Sequence, residues 1–317
     1  MNITQNKRKE LIDTCINRVF QKNCIKHISK KNKWSPGAEE IFFDIKGKEI
    51  TITEGKQPPD KLRVNFLINL LKVAISRYNL DINCNIIFNL MDGISAQEHY
   101  TRICISASLD SNHILMPDPH LFYHINTFKQ NLENDPRFEE KQDKIIFYGS
   151  DTGLVGQDLL NQRIKFCAKA FNNPKVTSKI TNFVHFSKEL LEDLNINIED
   201  IKAEYQNIPQ QLKSKYILDI DGNVASWDRT PWAMASNSYL IHLESDTNNS
   251  VNWYYPFIQQ NGILPIYKEE DILNGKVFYD SNIKQKQKDF AEILLSEETQ
   301  IEYFSCVLRK YNEIFNS

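Results

Sequence analysis

The sequence has no stretch of about 18 apolar residues, so nothing in it reads as a membrane-spanning helix. It has no excess of either charge: 38 Lys and Arg stand against 41 Asp and Glu, a net charge of −3. Such a balance gives no global attraction to nucleic acid, and no basic run with interleaved aromatics supplies a local one. Lysines cluster only at Lys26–Lys33, which reads as a solvated face or as contact with an anionic surface. The six cysteines (Cys15, Cys24, Cys84, Cys104, Cys167, Cys306) form no CxxC pair, which predicts reduced, buried thiols. The opening MNITQNKRKELIDTC has no apolar core of a secretion signal. The expectation is a cytoplasmic protein, free or peripheral to a membrane. Internal repeats and low-complexity tracts are also missing.

What is present is length and alternation. With 317 residues, 41% of them hydrophobic, the chain can bury a full core and is long enough for two domains. Helical spacing covers Lys7–Gln21, a helix follows Pro58-Pro59, and a long helical tail covers Lys284–Phe315. Short strands are expected at Glu40–Thr53, around Lys46-Gly47-Lys48, and at Cys84–Leu90, Ile103–Ala107, Ile145–Tyr148, Thr181–His185, Ile217–Ile220, Tyr239–His242 and Pro265–Tyr267. Strands alternating with helices predict an α/β fold with parallel sheets in both halves. The polar stretch Phe128–Lys144 reads as a hinge, giving domains at 1–138 and 139–295 and a terminal helix at 296–317.

Two strand-to-turn sites carry the chemistry. In Lys215–Ser238 an apolar run carries Asp219 and Asp221 into Gly222-Asn223, followed by Ser226 and Arg229. In Gly149–Gly153 a second apolar run ends in Gly149, Ser150 and Thr152. Glycines allow close backbone approach, hydroxyls and N–H groups bind oxygens, and a guanidinium matches phosphate bidentately. Outside the carboxyl ends of strands, such turns suit a nucleotide-type ligand. Arg163 is a second candidate clamp. Plain turns and a surface Arg are the alternatives. Asp92 ends the strand Cys84–Leu90 and reads either as a turn residue or as a base for a hydroxyl nucleophile. Asp151-Thr152-Gly153 matches the aspartic-protease triplet, but a single copy in an α/β context does not build that site. His120 and His124 lack the Glu of a zincin motif, since Leu121 follows the first His.

Asp219-Ile220-Asp221-Gly222 resembles the first motif of haloacid-dehalogenase-type phosphatases, which would make Asp219 a nucleophile and Asp221 an acid/base beside Mg²⁺. The chain as a whole resembles glycosyltransferase family 90, the group of protein O-glucosyltransferases, capsule xylosyltransferases and lipopolysaccharide-modifying proteins. Six ordered segments carry this resemblance: IIFNLMD (86–92), HILMPDPHLF (113–122), FYGSDTG (147–153), KYILDIDGNVASWDR with MASNSYLIH (215–242), WYYP (253–256) and GILPIY (262–267). It implies a GT-B-like enzyme, with two Rossmann-like domains around a cleft, that inverts a UDP-sugar (glucose, xylose or similar) onto a glycan hydroxyl. It implies no metal and no cofactor beyond that donor. The acceptor would be lipopolysaccharide or another surface glycan of bacterial type, met by a cytoplasmic protein peripheral to the inner membrane.

Carried over, Asp92 is the general base. Gly149, Ser150, Thr152, Arg163, Gly222, Asn223, Ser226 and Arg229 hold the donor, and Asp118, Asp221 and Ser238 line the cleft. Counted from Ser226, Arg229 falls one residue later than the family Arg. Counted back from Ser238 it aligns, so an insertion near Trp227-Asp228 reconciles the two. Met91 stands where protein O-glucosyltransferases have Arg. Two alternatives stay open: the Mg²⁺-dependent phosphatase, and a non-catalytic glycan-binding protein.

Overall fold

A computed structural model describes residues 3–20, 28, 40–54, 60–90, 101–108, 111–226, 228–245 and 250–317. Asp92, Met91, Trp227, Cys24 and all of the Lys26–Lys33 cluster except Ile28 lie outside these residues. The fold is mixed α/β, and it divides into two compact units. Unit 1 comprises 1–125, 249–260 and 293–317; unit 2 comprises 126–248 and 261–292.

Unit 1 contains helix α1 (Ile3–Val19) and the hairpin β1 (Glu40–Lys46) and β2 (Glu49–Glu54). Gly47 turns this hairpin with a φ of +62°, a left-handed angle that glycine adopts without a Cβ penalty. Helix α2 (Lys61–Arg77) starts where the Asp60 carboxylate accepts the Leu62 N–H at 2.7 Å. It buries Val64, Leu67, Leu70, Leu71, Ala74 and Ile75 along one stripe. Strands β3 (Asn83–Asn89), β4 (Ile103–Cys104), β5 (Ser106–Ser108) and β6 (Ile114–Leu115) follow. The main sheet has the order β2-β1-β3-β4-β6. Here the expectation of a parallel sheet is corrected: β1 pairs antiparallel with both β2 and β3, and only β3-β4-β6 run parallel. A tight hairpin at Gly47 forces that reversal, because parallel neighbours need a crossover of a dozen residues or more.

Helix α3 (Pro119–Leu132) and a 3-10 turn (Phe138–Glu140) occupy the stretch read as a hinge. The unit boundary falls inside α3, at 125/126, and not at 138/139. The polarity of that stretch misled, because two of its charges, Asp135 and Lys141, are buried against each other.

Unit 2 contains β7 (Gln142–Ser150), α4 (Gln162–Lys169), β8 (Val176–Asn182), α5 (Lys188–Asp193), α6 (Ile198–Ile201) and α7 (Ile208–Gln211). Next come β9 (Ser214–Asp219), α8 (Arg229–Ala235) and β10 (Tyr239–Leu243). The chain then visits unit 1 with β11 (Ser250–Asn252), which pairs with β5. It returns along α9 (Tyr255–Asn261) to β12 (Ile266–Tyr267), α10 (Glu269–Leu273) and α11 (Ser281–Leu294). The long tail expected from the sequence is two helices, α11 and α12 (Glu297–Asn316). Within unit 1, α12 lies against α2 and β3, and its Tyr303 and Tyr311 hydroxyls donate to the carbonyls of Leu115 (2.9 Å) and Asn85 (3.1 Å).

The unit 2 sheet has the order β12-β10-β9-β7-β8 and is parallel throughout. Parallel strands are covered on both faces, so they read as continuous apolar runs. Every residue of β10 is buried, and Phe147, Ile164, Phe166, Leu218, Ile220 and Ile241 form the centre of the core. In chain order β7 and β8 go one way and β9, β10 and β12 the other, so the order reverses between β7 and β9. Ligands of open α/β sheets bind outside the carboxyl ends of the strands at such a reversal.

The opposite, amino edge of this sheet holds a buried charge cluster. The Lys141 ammonium contacts Asp135 and donates to Leu212 O (2.6 Å) and Ser238 Oγ (2.8 Å). Lys284 is also buried and donates to Met234 O at 3.0 Å, at the carboxyl end of α8. Burial holds its ammonium well below the usual lysine range. Five cysteines are described; Cys15, Cys84, Cys104 and Cys167 are buried free thiols, and Cys306 is half-buried and free. Among the described residues, no helix is long and apolar enough to cross a membrane.

Candidate functional site

The residues between β7 and α4 are fixed by Asp151 and Asn161. Asp151 is fully buried, and its carboxylate accepts backbone N–H groups of Val184 (2.7 Å), His185 (3.1 Å) and Phe186 (2.8 Å). The acid of the Asp-Thr-Gly triplet is therefore the anchor of the loop after β8. Asn161 caps α4 through Ile164 N–H (3.0 Å) and donates to the Asp151 carbonyl.

The two glycine turns meet. Gly153 N–H donates to Asn223 Oδ1 at 3.0 Å, and Arg163 ties the ends of β7 and β9 together. Its Nη1 donates to Ser150 O (3.1 Å) and Thr152 Oγ1 (2.8 Å), its Nη2 to Ile220 O (2.8 Å), and its Nε to Asp221 O (3.0 Å). Burial, with the nearby Arg229 charge, brings the Arg163 guanidinium down to about 10, so it remains a cation at neutral pH. Arg163 is thus a brace whose donors go to the chain itself. A Cβ on Gly222 would sit 3.0 Å from its Nη2 and 3.1 Å from Thr152 Oγ1. Glycine at 222 makes room for this brace.

Arg229 differs. It opens α8, its Nη2 donates to the Tyr148 carbonyl, and its guanidinium carbon lies 4.5 Å over the Phe147 ring. Its Nε and Nη1 are buried without a hydrogen-bond partner among the described residues. Buried donors left unmade are costly and call for an explanation in the site around them. Burial lowers the Arg229 pKa and the Asp219 carboxylate opposes that.

A pocket of about 560 Å³ lies over these groups, lined entirely by unit 2 residues. Gly149, Ser150, Ser226, Arg163 and Arg229 line it together with the aromatics Phe128, Tyr148, Tyr205 and Trp232 and the amides Asn182, Gln206 and Gln211. A lining that combines guanidinium and hydroxyl groups with aromatics and amides suits a phosphorylated ligand with a flat or polyhydroxylated remainder.

Behind Arg229 lies an acid–imidazole–acid cluster. His242 Nδ1 is 3.2 Å from Asp219 Oδ2, which also accepts from Thr230 Oγ1 at 3.1 Å. His242 Nε2 is 3.8 Å from Asp221 Oδ2. Burial alone would raise the Asp219 carboxyl, but the His242 hydrogen bond and charge, with Arg229, hold it below the usual range. Burial pushes Asp221 up to about 6, where its His242 and Asp219 neighbours act in opposite directions. His242 is raised: burial disfavours its charge, and the Asp219 hydrogen bond with the two carboxylates outweighs that. Asp219 has no solvent exposure, and its Oδ2 is held by His242 and Thr230.

The pocket thus gathers Gly149, Ser150, Arg163, Ser226 and Arg229, with Thr152, Gly222 and Asn223 in the turns beneath and Asp221 behind them. Ser238 is elsewhere. It donates to Ser214 O (2.7 Å) and accepts from Lys141 at the amino edge of the sheet, where it joins strand starts. A small residue before a strand pointed to a ligand, yet strand polarity puts it at the wrong end. Asp118 belongs to unit 1, where its Oδ1 accepts the His120 N–H (2.8 Å) at the start of α3. Asp92 lies outside the described residues. His120 and His124 share a face of α3, with ring centroids 4.3 Å apart.

Sequence reasoning missed His242, Asp228, Tyr205 and Trp232. His242 had a usable signal: an acid ending one parallel strand is paired in register with the residue at the same level of the next, here Asp219 with His242. Tyr205 offered none, because it sits in a connection without periodicity. No family model matches the chain, and no curated protein matches it.

Proposed function

We propose that the chain is an inverting, metal-independent glycosyltransferase that transfers a sugar from a UDP-sugar to a hydroxyl of a glycan, with lipopolysaccharide or another surface glycan as the acceptor class. On this proposal the chain has the GT-B arrangement of two Rossmann-like domains, and unit 2 is the donor half. The observation that carries it is Arg229, which lines a pocket at the strand-order reversal where both glycine turns meet and whose Nε and Nη1 are buried without a hydrogen-bond partner among the described residues. Diphosphate oxygens would accept from the Arg229 guanidinium and from Ser150, while the aromatics and amides of the lining would hold the nucleoside. Asp92 would take the proton of the acceptor hydroxyl. The freed oxygen electron pair would then form the new bond to the anomeric carbon, and the bond from that carbon to the diphosphate oxygen would break, releasing UDP.

The test is UDP release from a panel of UDP-sugars in EDTA, with and without glycan acceptors, for the wild type, Asp92→Asn and Arg229→Met. Release from a UDP-sugar that both variants lose is the expected result. Turnover of only GDP- or CMP-sugars overturns the donor, and full transfer by Asp92→Asn overturns the base.

A further inference from the structure

We propose that His242 is a positioning residue for Arg229, acting through Asp219 and Thr230, and that a proton on its imidazole strengthens the hold of the unit 2 pocket on a sugar diphosphate. His242 has this role only if the pocket holds a sugar nucleotide, as proposed above.

The chain of contacts is short and buried. Asp219 ends β9 without solvent exposure, and its Oδ2 meets both Thr230 Oγ1 (3.1 Å) and His242 Nδ1 (3.2 Å). Thr230 is itself fully buried and follows Arg229 in the first turn of α8. One carboxylate oxygen therefore ties an imidazole on β10 to the helix start that carries the guanidinium. The guanidinium in turn donates to the Tyr148 carbonyl and lies over the Phe147 ring. Ser226, on the pocket wall, also bonds to the Asp219 carboxylate. The same acid thus touches the imidazole, the start of α8 and the wall.

The charges around the imidazole set the sign of the effect. Asp219 and Asp221 flank it, with His242 Nε2 3.8 Å from Asp221 Oδ2. Beyond them, Arg229 acts on Asp219 from α8 and Arg163 acts on Asp221 from α4. On the β12 side the strand partner of His242 is the uncharged Ile266. While the imidazole is neutral, the Asp219 charge behind Arg229 opposes an incoming diphosphate. A proton on His242 offsets one unit of negative charge there and favours the anion. Burial disfavours that proton, but the Asp219 hydrogen bond and the two carboxylates outweigh it and raise His242 above the usual histidine range. By linkage, a bound diphosphate draws the proton in. The diphosphate diester of a UDP-sugar does not titrate near neutral pH, so a pH dependence of its binding there belongs to the protein.

Isothermal titration with UDP-glucose from about pH 6.5 to about pH 8.5, a window above the Asp221 titration at about 6, reads the affinity. Buffers of different ionisation enthalpy read the protons exchanged. The wild type should lose affinity roughly fivefold across the window and take up protons on binding. Both effects should largely vanish in His242→Gln, with the melting temperature showing that the variant is folded. Thr230→Val cuts the contact to α8 and leaves every charge in place, so it should weaken binding several-fold at each pH and keep the pH dependence. NMR titration of the wild-type His242 ring, assigned through its own backbone, asks the same question without a substitution: UDP-glucose should move its titration to higher pH. Binding without proton uptake, a ring titration that the ligand does not move, or an equal pH dependence in His242→Gln overturns the role of His242 and leaves the nucleotide site standing. Full affinity in Thr230→Val at every pH overturns the route through α8. A wild type that binds no UDP-glucose at any of these pH values overturns the nucleotide site, and the role of His242 with it.

Discussion

His242 Nδ1 lies 3.2 Å from Asp219 Oδ2, on the neighbouring parallel strand and in register with it, and both side chains are buried. This contact, with Asp221 on the other side of the imidazole, sets a pH dependence of stability. Asp221 is raised in the fold to about 6 from an unfolded value of about 3.9, so the folded state binds the extra proton between those values. Stability from Asp221 is present below about pH 4 and is lost as pH rises through 6. His242 is also raised, so its contribution is present below about pH 6.5 and is lost above it. Asp219 is lowered, so its contribution is lost only in acid. The melting temperature should therefore fall between pH 5 and pH 8. In Asp221→Asn the loss of stability over that range should shrink by about 1 kcal/mol. An equally steep fall in the variant would remove Asp221 as its source.

Arg163 and Arg229 should part company when mutated. Arg163→Ala strands the carbonyls of Ser150, Ile220 and Asp221 and should cost about 2 to 4 kcal/mol in urea unfolding. Arg163→Lys should rescue little of this, because an ammonium cannot span both strand ends. Arg229→Met should change stability far less, since two of its buried donors are already unmade, and should abolish UDP binding. The reverse ranking of the two variants would refute their assignment as brace and ligand.

Gly149→Ala tests the fit beneath Arg229. The new methyl would lie 2.8 Å from Phe147 Cζ and 3.4 Å from Arg229 Nη2. The buried Phe147 ring has to move, and it carries the guanidinium with it. A destabilisation of about 1 to 3 kcal/mol is expected, together with a larger loss of UDP affinity than stability alone explains. Unaltered UDP binding would show that the ring does not set the Arg229 position.

Asp151→Ala removes the acceptor of three successive N–H groups, Val184 to Phe186. It should destabilise unit 2 by roughly 2 to 3 kcal/mol and speed amide exchange in those three residues first. Protection that persists there would mean that the loop is held by other contacts.

Much of unit 2 was legible because its strands are short apolar runs bounded by turn residues, and its all-parallel order follows from alternation with helices. The convergence of Gly149–Gly153 with Gly222–Ser226 was readable as well, since both turns end strands of one parallel sheet. The mixed sheet of unit 1 was not, because periodicity marks a strand without fixing its direction. Arg163 shows a second limit: a guanidinium after a glycine turn suits phosphate and backbone carbonyls equally, and only the fold counts its donors. Asp135 and Lys141 show a third, since a charged stretch reads as solvated even when its charges pair inside.

Lys284 gives the amino edge of the sheet a hold on the pocket. It grips the last carbonyls of α8, a helix of seven residues whose first is Arg229. So short a rod would pass a shift at one tip to the other, letting the buried Lys284 amine help aim the guanidinium although it is not part of the pocket lining. Changes along α11 would then tune anion capture from outside the cavity, leaving its wall untouched.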